Sequence, residues 1–267
     1  MFEKQIRSLK RRYYFIQPKR RVRRNGIMYD INCRELIDYS IFLGSWEAET
    51  SDFIEKYVKD SFVTLEIGAN VGAHTLLIAK NSGPTGIVHA VEPTKYARNK
   101  LLRNMDLNPD VAGRVRVHDL LISDVIEENT RREIRSSWPT RSYMASQPLE
   151  TVPSLVTTID RLVEEVELDR LDLIKIDIDG YDFRALRGAI DTIGRFRPLI
   201  YVELCEWAQQ ENGFSVTDII SFLASHGYNG YYASDMQPLT TSNVFELIGD
   251  KDSINGVFFP VEAKQPA

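Results

Sequence analysis

The sequence LEIGANVGAHT, from Leu65 to Thr75, decides the fold class of this 267-residue chain. An acid, Glu66, lies at the end of an apolar run, and two glycines, Gly68 and Gly72, follow on either side of Asn70. A strand that ends in a glycine turn and continues as a helix places the unpaired N–H groups of the helix N-terminus beside the turn. The stretch therefore predicts a strand–turn–helix unit that binds a ligand against its backbone. A turn that serves only close packing of strand on helix is the alternative.

Strands and helices alternate downstream of this unit. Four more strands are predicted in GIVHAVEP, RVRVHDLLISD, LDLIKIDIDG and RPLIYVEL, and helices in the segments between them, including a single helix in YDFRALRGAIDTIGRF. This alternation is typical of an α/β fold with a parallel sheet and helices on both faces. The late strands YNGYYASD and SINGVFFP lack a long helix between them, which indicates an antiparallel edge.

The pattern divides the chain into two parts. Residues 1–59 form a short N-terminal extension, with a basic arm, a strand or hairpin followed by a helix within 26–45, and a second helix from Glu47. Residues 60–267 form the α/β domain, which a polar, Pro-containing loop insertion around 125–153 interrupts. Long loops in compact domains are usually functional or disordered.

Composition and charge restrict the class of protein. Hydrophobic residues make up 43% of the chain and charged residues 27%, as in ordinary globular proteins. The two cysteines, Cys33 and Cys205, lack the spacing of a zinc site or a disulfide framework. No apolar run is long enough to span a membrane, and the N-terminus has no signal-peptide pattern. We expect a cytoplasmic protein.

The N-terminal arm is strongly basic. Residues 1–24 carry ten Lys and Arg against one acid, although the net charge of the whole chain is −5. With Tyr13, Tyr14 and Phe15 interleaved, the arm is a candidate for peripheral contact with a membrane, a nucleic acid or an acidic glycan. A solvated lead-in without a partner is the alternative.

Acids at the ends of the first three strands indicate the cofactor. A dinucleotide fold would show G-x-G-x-x-G, whereas this loop reads E-x-G-x-x-x-G, and Glu66 would repel a pyrophosphate. It would attract the sulfonium and ammonium of S-adenosylmethionine (AdoMet). Glu92 ends the second strand, where a carboxylate can bind both ribose hydroxyls. After the third strand, Asp119 and Leu120 are placed for the adenine, although Asp119 could also be a plain surface acid.

The fourth and fifth strands end in further acids. Alternation puts Lys175, Asp177 and Asp179 on one side of the strand, and Glu203 ends the next strand. These groups could bind the substrate, act as a general base, hold a divalent metal, or bond loop N–H groups. His74, in the first turn after the glycine loop, is a further candidate base or a helix cap.

Aromatic and basic residues in the long loop suggest the acceptor. Trp138, Arg141 and Tyr143 suit a carbohydrate, since aromatic rings stack on sugar faces and Arg binds carboxylate or phosphate. The alternative is that these side chains only pack the loop against the domain.

Taken in order, LEIGANVGAHT, HAVEP, LLRNMDLN, LISD, TTIDRL and LDLIKIDIDG…LRGA…RPLIYVEL resemble the FkbM-type methyltransferases. The resemblance covers roughly residues 60–205, and weaker similarity in NGIMYDIN…GSWEAET extends it upstream. It implies the class I methyltransferase fold, a Rossmann-like seven-stranded sheet in the order 3-2-1-4-5-7-6. It also implies AdoMet as cofactor and O-methylation of sugars, polysaccharides or natural-product hydroxyls.

The resemblance can be carried over residue by residue. The family's motifs fall on Glu66, Gly68, Asn70 and Gly72 for the cofactor, on Glu92 for the ribose, and on Lys175, Asp177 and Gly180 after the fourth strand. The chain departs from the pattern twice: Asp179 stands where the family usually has Glu, and Glu66 where it more often has Asp. Both changes keep the charge and alter the reach of the carboxylate.

The sequence thus predicts an AdoMet-dependent O-methyltransferase acting on a sugar, glycan or natural-product hydroxyl. The predicted catalytic residues are Asp177, Asp179 and His74, and Lys175 and Glu203 are assigned to the substrate with the three loop residues. A divalent metal is compatible with these acids and is not predicted. A nucleic-acid methyltransferase is disfavoured by the acidic main body and by the lack of an NPPY or DPPY tetrapeptide after the fourth strand. A non-catalytic AdoMet-binding module is the remaining alternative.

Overall fold

The computed structural model describes residues 16–134 and 150–263, with 128–134 and 150–154 described as strand backbone. In the extension the elements are β1 Lys19–Arg24, β2 Ile27–Asn32, α1 Leu36–Leu43 and α2 Ala48–Tyr57. In the first half of the domain they are β3 Val63–Ile67, α3 Ala73–Asn81, β4 Ile87–Val91, α4 Lys95–Asp106, α5 Pro109–Ala112, β5 Val115–His118, β6 Leu121–Ile122, β7 Glu127–Ile134 and β8 Glu150–Thr157. The second half has α6 Ile159–Glu165, β9 Leu173–Ile176, α7 Asp182–Arg187, α8 Ile190–Phe196, β10 Leu199–Leu204, α9 Glu206–Glu211, α10 Val216–Ser225, β11 Tyr228–Tyr232, β12 Pro238–Leu239, α11 Val244–Ile248 and β13 Ile254–Pro260.

A mostly parallel sheet forms the centre of the protein. Its strands lie in the order β12-β11-β13-β10-β9-β3-β4-β5, and β3, β4, β5, β9 and β10 pair in parallel. β13 runs antiparallel to both β10 and β11, which gives the expected antiparallel edge. When the seven main strands of this sheet, β3, β4, β5, β9, β10, β11 and β13, are renumbered 1 to 7 in chain order, their order in the sheet is 3-2-1-4-5-7-6. The short strand β12 adds an eighth strand to the seven expected.

Helices cover both faces of this sheet, as the alternating pattern predicts. On one face, Leu162 of α6 and Ile219 of α10 belong to the same buried apolar cluster as Ile174 of β9. On the other face, Leu76 of α3 and Leu101 of α4 share a cluster with residues of the extension. Because parallel strands are buried on both faces, they read as continuous apolar runs in the sequence.

The segment predicted as one strand, 114–124, divides in two. β5 ends at His118, and Leu121 and Ile122 form β6, which pairs with β8 in a separate three-stranded sheet of order β6-β8-β7. The region predicted as a loop around 125–153 contains β7 and β8, an antiparallel pair. The polar composition and Pro153 hide this strand pattern, because backbone pairing does not depend on side-chain periodicity.

The predicted helix over YDFRALRGAIDTIGRF is also two helices. α7 ends at Arg187 and α8 begins at Ile190. A Cβ on Gly188, between them, would lie 2.3 Å from the carbonyl oxygen of Ser123. The Asp160 carboxylate accepts hydrogen bonds from Asp191 N and Thr192 N, at 3.2 and 2.8 Å. These contacts start a new helix where the sequence periodicity suggests continuation.

Two buried asparagines, Asn104 of α4 and Asn108 at the start of α5, fasten the β1–β2 hairpin to the domain. Asn104 Oδ1 accepts from Asp30 N at 2.8 Å. Asn108 Oδ1 accepts from Met28 N at 2.8 Å, and its Nδ2 donates to Met28 O at 2.7 Å. The exposed edge of β2 is thereby partly satisfied by side chains of the domain.

We expect Asn108→Ala to lower the free energy of unfolding by about 2–3 kcal/mol, because it leaves the partly buried N–H and C=O of Met28 unpaired. Urea unfolding followed by circular dichroism measures the change. The matched control is Asn229→Ala, an exposed asparagine of β11, which should change the stability by less than about 0.5 kcal/mol. Equal effects of the two substitutions would contradict the anchoring role of Asn108.

No helix in the described ranges combines the length and apolar character that crossing a bilayer requires.

Candidate functional site

The glycine loop brings the carboxyl ends of β3 and β9 into close approach. Gly68 has a φ of +91°, and a Cβ at this position would lie 2.0 Å from the carbonyl oxygen of Asp177. Gly72 has a φ of +80°, where only the flexible Leu101 side chain would be displaced. Glycine adopts such positive φ values without steric cost. The loop is therefore a shallow turn pressed against the end of the neighbouring strand.

Several N–H groups of the loop are bonded within the protein. Gly68 N and Ala69 N both donate to Val91 O at 3.0 Å. Asn70 N donates to Glu92 Oε2 at 2.9 Å, and the Asn70 side-chain Oδ1 is buried without a hydrogen-bond partner. The loop therefore offers an unsatisfied acceptor, and its open donors are those at the N-terminus of α3.

Glu92 holds the loop from the end of β4. Its carboxylate also accepts from Thr94 N at 2.8 Å and from the Thr94 hydroxyl. Burial raises the pKa of Glu92, while these hydrogen bonds lower it. Each carboxylate oxygen can accept two hydrogen bonds, so Oε2, with one donor, can accept another from a ligand hydroxyl.

Glu66 lies beneath the loop rather than at its surface. Its side chain is 1% exposed, and Thr75 Oγ1 donates to its Oε2 at 2.5 Å. Burial raises the pKa of Glu66 against the opposing effect of Lys175. Glu66 thus ties the first turn of α3 to β3 and adds negative potential under the loop.

Lys175 is the buried cation of the site. Its ammonium lies 3.2 Å from Asp177 Oδ2. Burial lowers the pKa of Lys175, but Asp177, Glu66 and Glu47 together raise it above its ordinary value. The lysine assigned to the substrate by sequence therefore lies among acids contributed by three different segments.

The loop after β9 is held by an acid that sequence analysis did not single out. Asp182, fully buried, accepts from Ile178 N at 3.1 Å and from Gly180 N and Gln209 Nε2 at 3.0 Å. Burial, with Asp177, raises the pKa of Asp182 to about 7. This acid at the start of α7 fixes the path of the loop that carries Asp179.

Asp179 occupies the tip of that loop with a positive φ of 49°. The residue is exposed, although surrounding protein atoms partly desolvate its carboxyl group. This desolvation, with the Asp177 charge, raises the pKa of Asp179 to about 6. The next residue, Gly180, packs so closely on α9 that a Cβ would lie 2.3 Å from Ala208 O.

Glu203 lies beside this loop at the end of β10. Its Oε1 accepts from Ser253 Oγ at 2.6 Å. Burial first, and then Asp177 and Asp182, raise the pKa of Glu203 well above its ordinary value. Strongly shifted pKa values in several neighbouring acids are typical of functional sites.

The extension contributes a further acid opposite α3. Glu47 Oε2 lies 3.7 Å from His74 Nε2 and accepts from Thr50 Oγ1 at 3.0 Å. His74 is 5% exposed, and burial lowers its pKa well below the ordinary value, so the ring is neutral near pH 7. Burial and Asp177 raise the pKa of Glu47 to about 7 against the effect of Lys175.

Over residues 66–229 the chain matches the family model of the methyltransferase FkbM domain. The chain belongs to the FkbM methyltransferase family. Solved structures agree in fold. An FkbM methyltransferase from Methylobacillus flagellatus has a TM-score of 0.50 and 18% identity, over 85% of this chain and 56% of that chain. The METTL16 methyltransferase domain has a TM-score of 0.50 and 11% identity, over 89% of this chain and 75% of that one. At these identities the similarity shows the fold alone. Comparison with curated proteins gave no significant match.

Within this FkbM domain, Asp119 lies toward the solvent and pairs with Arg98. Arg98 Nη1 and Nη2 lie 2.7 Å from Asp119 Oδ1 and Oδ2, respectively. Arg98 also donates to Glu92 O and Pro93 O at 3.0 Å, and Leu120 packs at the border of the core. Asp119 thus orders the turn after β4, and its oxygens can still accept from an amino group. Trp138, Arg141 and Tyr143 lie outside the described residues.

Three residues of the candidate site, in the extension and in the domain, were missed from the sequence. From the sequence, Glu47 and Asp182 could be recognised only as acids at the starts of helices, where the helix dipole stabilises a negative charge. Trp207, 55% exposed in the first turn of α9, lies three residues after the end of β10. An exposed tryptophan beside strand-end acids is the sequence signal that could have identified it.

A cavity of about 210 Å³ adjoins the Glu47–His74 pair. Trp46, His74 and Arg24 line it, with polar groups from Ser51 and Asp52. An aromatic wall with a few convergent polar groups is the usual composition of a small-molecule site. Within the described ranges, no three His, Cys, Asp or Glu residues are arranged to hold a metal ion.

Proposed function

We propose that this FkbM-family domain is an AdoMet-dependent O-methyltransferase acting on a hydroxyl of a sugar, a glycan or a natural product. The observation that carries the proposal is the juxtaposition of the glycine loop, its strand-end acid Glu92 and the acids around Lys175 at one edge of the sheet. In open α/β sheets, ligands bind outside the carboxyl ends of the strands.

The residues present fit this cofactor. The unpartnered Asn70 Oδ1 can accept from an ammonium, and Glu92 Oε2 can accept from a ribose hydroxyl. The negative potential from Glu66 and Glu92 favours a cation over a pyrophosphate. When bound, AdoMet supplies a methyl group on a sulfonium, which is already activated for transfer.

The remaining task of the protein is to align and deprotonate the acceptor hydroxyl. Asp177 and Asp179 lie at the end of β9, where the acceptor would face the cofactor. Lys175 pairs with Asp177 and keeps its carboxylate in place. Asp179, exposed and with a pKa of about 6, can accept a proton near neutral pH. Neutral His74 can accept one or donate a hydrogen bond.

Aromatic surfaces near these acids support a sugar-like acceptor. Trp207 on α9 and Trp46 at the cavity wall offer flat apolar faces beside polar groups. Arg24, also at the cavity wall, adds a cation that could meet an acidic substituent, although its guanidinium already donates to Ile41 O and Phe42 O.

Replacing Glu92 by Ala should weaken AdoMet binding by about 10- to 100-fold, because a hydrogen bond to a charged group contributes about 1.5–3 kcal/mol. Isothermal titration calorimetry with AdoMet measures the change. Thr94→Ala is the matched control, since it removes one loop contact and keeps the carboxylate, and it should change the affinity by less than about threefold. Absence of AdoMet binding by the folded wild-type protein would overturn the proposed cofactor.

The acceptor class can be tested with methyl-tritiated AdoMet. The panel contains methyl glycosides of hexoses, 6-deoxyhexoses and hexuronic acids, with catechol as a non-sugar hydroxyl. We expect transfer to at least one sugar, retained with a metal chelator, and an O-methyl signal in the product by NMR. Transfer to catechol alone would overturn the sugar class.

We also propose that the basic N-terminal segment contacts an anionic partner. In the described part of this segment, Lys19, Arg21 and Arg23 are exposed along one face of β1. Residues 1–15 of the arm lie outside the described range. Binding of vesicles with anionic lipid that weakens with salt would support this contact.

A further inference from the structure

Glu47 is held in an unusual backbone conformation at the start of α2. Its φ of +34° lies in the left-handed region, which non-glycine residues seldom adopt. Its Oε2 accepts from Thr50 Oγ1, and that hydroxyl contacts the Tyr201 hydroxyl of β10 at 2.9 Å in the core. The side chain is therefore pinned to the central sheet, although it comes from the extension. Strained positions that the surroundings fix in this way cluster at functional sites.

The Glu47 carboxyl combines a fixed oxygen with an open one. Oε2 faces Thr50 and the otherwise unpartnered His74 Nε2. Among the described residues, Oε1 has no hydrogen-bond partner. The side chain is 28% exposed, whereas Glu66 is 1% exposed and Asp182 is fully buried. Glu47 can thus reach a ligand from a position that the protein has already oriented.

Several other acids of the site are already engaged in contacts that hold the fold together. Asp182 accepts three hydrogen bonds, Glu66 ties down Thr75, and Glu92 holds the glycine loop. Asp177 is paired with Lys175, and Glu203 accepts from Ser253. A carboxylate already engaged by several donors or paired with a cation is a weaker base, so Asp182, Glu92 and Asp177 are poorer candidates than Glu47.

Charges from three elements bear on Glu47. Asp177 after β9 and Glu66 of β3 favour its protonated form, Lys175 of β9 favours the carboxylate, and His74 of α3 is neutral. Burial has the largest effect, and together with these charges it raises the pKa of Glu47 to about 7. General bases work best when their pKa lies near the operating pH.

We propose that Glu47 is the general base of the reaction, with His74 as a positioning residue whose Nε2 packs 3.7 Å from Glu47 Oε2. This inference rests on the proposed O-methyl transfer. As the acceptor oxygen forms its bond to the methyl carbon, the S–C bond of the sulfonium donor breaks with its electron pair going to sulfur. The acceptor hydroxyl proton passes to Glu47 Oε1. The charge of the sulfonium is neutralised, and the proton later leaves Glu47 to solvent.

The test compares Glu47→Gln with the wild-type protein, using AdoMet and the sugar acceptor found in the panel. Gln keeps the size of the side chain and cannot accept the proton. We expect kcat to fall by about 100- to 10,000-fold, as for loss of a general base, with AdoMet affinity changed by less than about threefold. The wild-type rate should rise with pH through about 7 as Glu47 loses its proton, and that rise should be absent from the variant.

The matched control is Glu55→Gln, the same chemical change at an exposed position of α2, which should leave kcat unaltered. Glu47→Asp keeps a shorter base and should recover part of the rate. Activity of Glu47→Gln equal to the wild type, with the same pH profile, would overturn the base and leave the methyltransferase proposal standing. Failure of the wild type to methylate any acceptor would overturn both.

A readout without acceptor is the NMR titration of protein labelled with ¹³C at the glutamate carboxyl carbons. The signal missing from Glu47→Gln identifies Glu47, and we expect its midpoint near 7. His74→Gln should keep AdoMet affinity and shift this midpoint. A Glu47 midpoint at the ordinary glutamate value of about 4.3 would contradict the proposal.

Discussion

Lys175→Met is expected to destabilise the protein by about 3–5 kcal/mol, because it removes the cation from a buried group of acids. The lysine is 2% exposed, and its ammonium lies 3.2 Å from Asp177 Oδ2. Its charge also lowers the pKa of Glu66 and of Glu47. Without it, these acids must be buried uncompensated or take up protons.

The pH dependence of this variant follows from the sign of those shifts. A carboxyl whose pKa is higher in the folded than in the unfolded state binds more protons when folded, so stability falls as pH rises between the two pKa values. Removing Lys175 raises the folded-state pKa of Glu66 and Glu47 further. We therefore expect the loss of stability in Lys175→Met to be larger at pH 8 than at pH 5.5, by urea unfolding at both values.

Arg161→Met is the control for loss of a cation. Arg161 contacts Glu164 and Glu165 at 2.8 Å on the surface of α6, with 48% of its side chain exposed. Exposed pairs contribute about 0–1 kcal/mol, so this variant should unfold close to the wild type at either pH. A Lys175→Met variant with the same urea midpoint as Arg161→Met would contradict the role of Lys175 as the balancing charge.

The strand ends of the site could be predicted because local sequence specifies them. Apolar runs fix β3, β4, β9 and β10, and the residues that follow must lie at one edge of a parallel sheet. This reasoning places Glu92, Asp177 and Glu203 at that edge, as the structure shows. What the sequence could not specify is the partner of each group. The hydrogen bond from Asn70 N to Glu92 Oε2, for example, depends on how two loops fold toward each other.

Contacts between distant segments account for most of what was missed. Glu47 reads as the first residue of a surface helix, and only the packing of the extension on α3 brings it to His74. The β7–β8 pair was missed because polar residues and a proline interrupt the alternation on which strand prediction depends. The break between α7 and α8 likewise depends on Ser123 and Asp160, which lie far from it in sequence.

Gly68→Ala should be the most damaging single-methyl change in the loop. The new Cβ would lie 2.0 Å from Asp177 O and 3.0 Å from Asp177 C, and both belong to the backbone. The φ of +91° adds strain for any residue with a Cβ. Because neither strand end can move without breaking the sheet pairing of Ile67 with Ile176, we expect a loss of at least about 4 kcal/mol.

Two other glycines make the test interpretable even where Gly68→Ala fails to fold. At Gly72 the methyl group would meet only the flexible end of Leu101, so Gly72→Ala should cost about 1–2 kcal/mol, mainly from its positive φ. Gly194, inside α8, has no atom within 4 Å of an added Cβ, and Gly194→Ala should stabilise the helix by about 0.5–1 kcal/mol. Urea midpoints should therefore rank Gly194→Ala above the wild type, and Gly72→Ala above Gly68→Ala. A Gly68→Ala protein as stable as Gly72→Ala would mean that the ends of β3 and β9 do not meet as closely as the structure has them, and the proximity of the glycine loop to Asp177 would lose its basis.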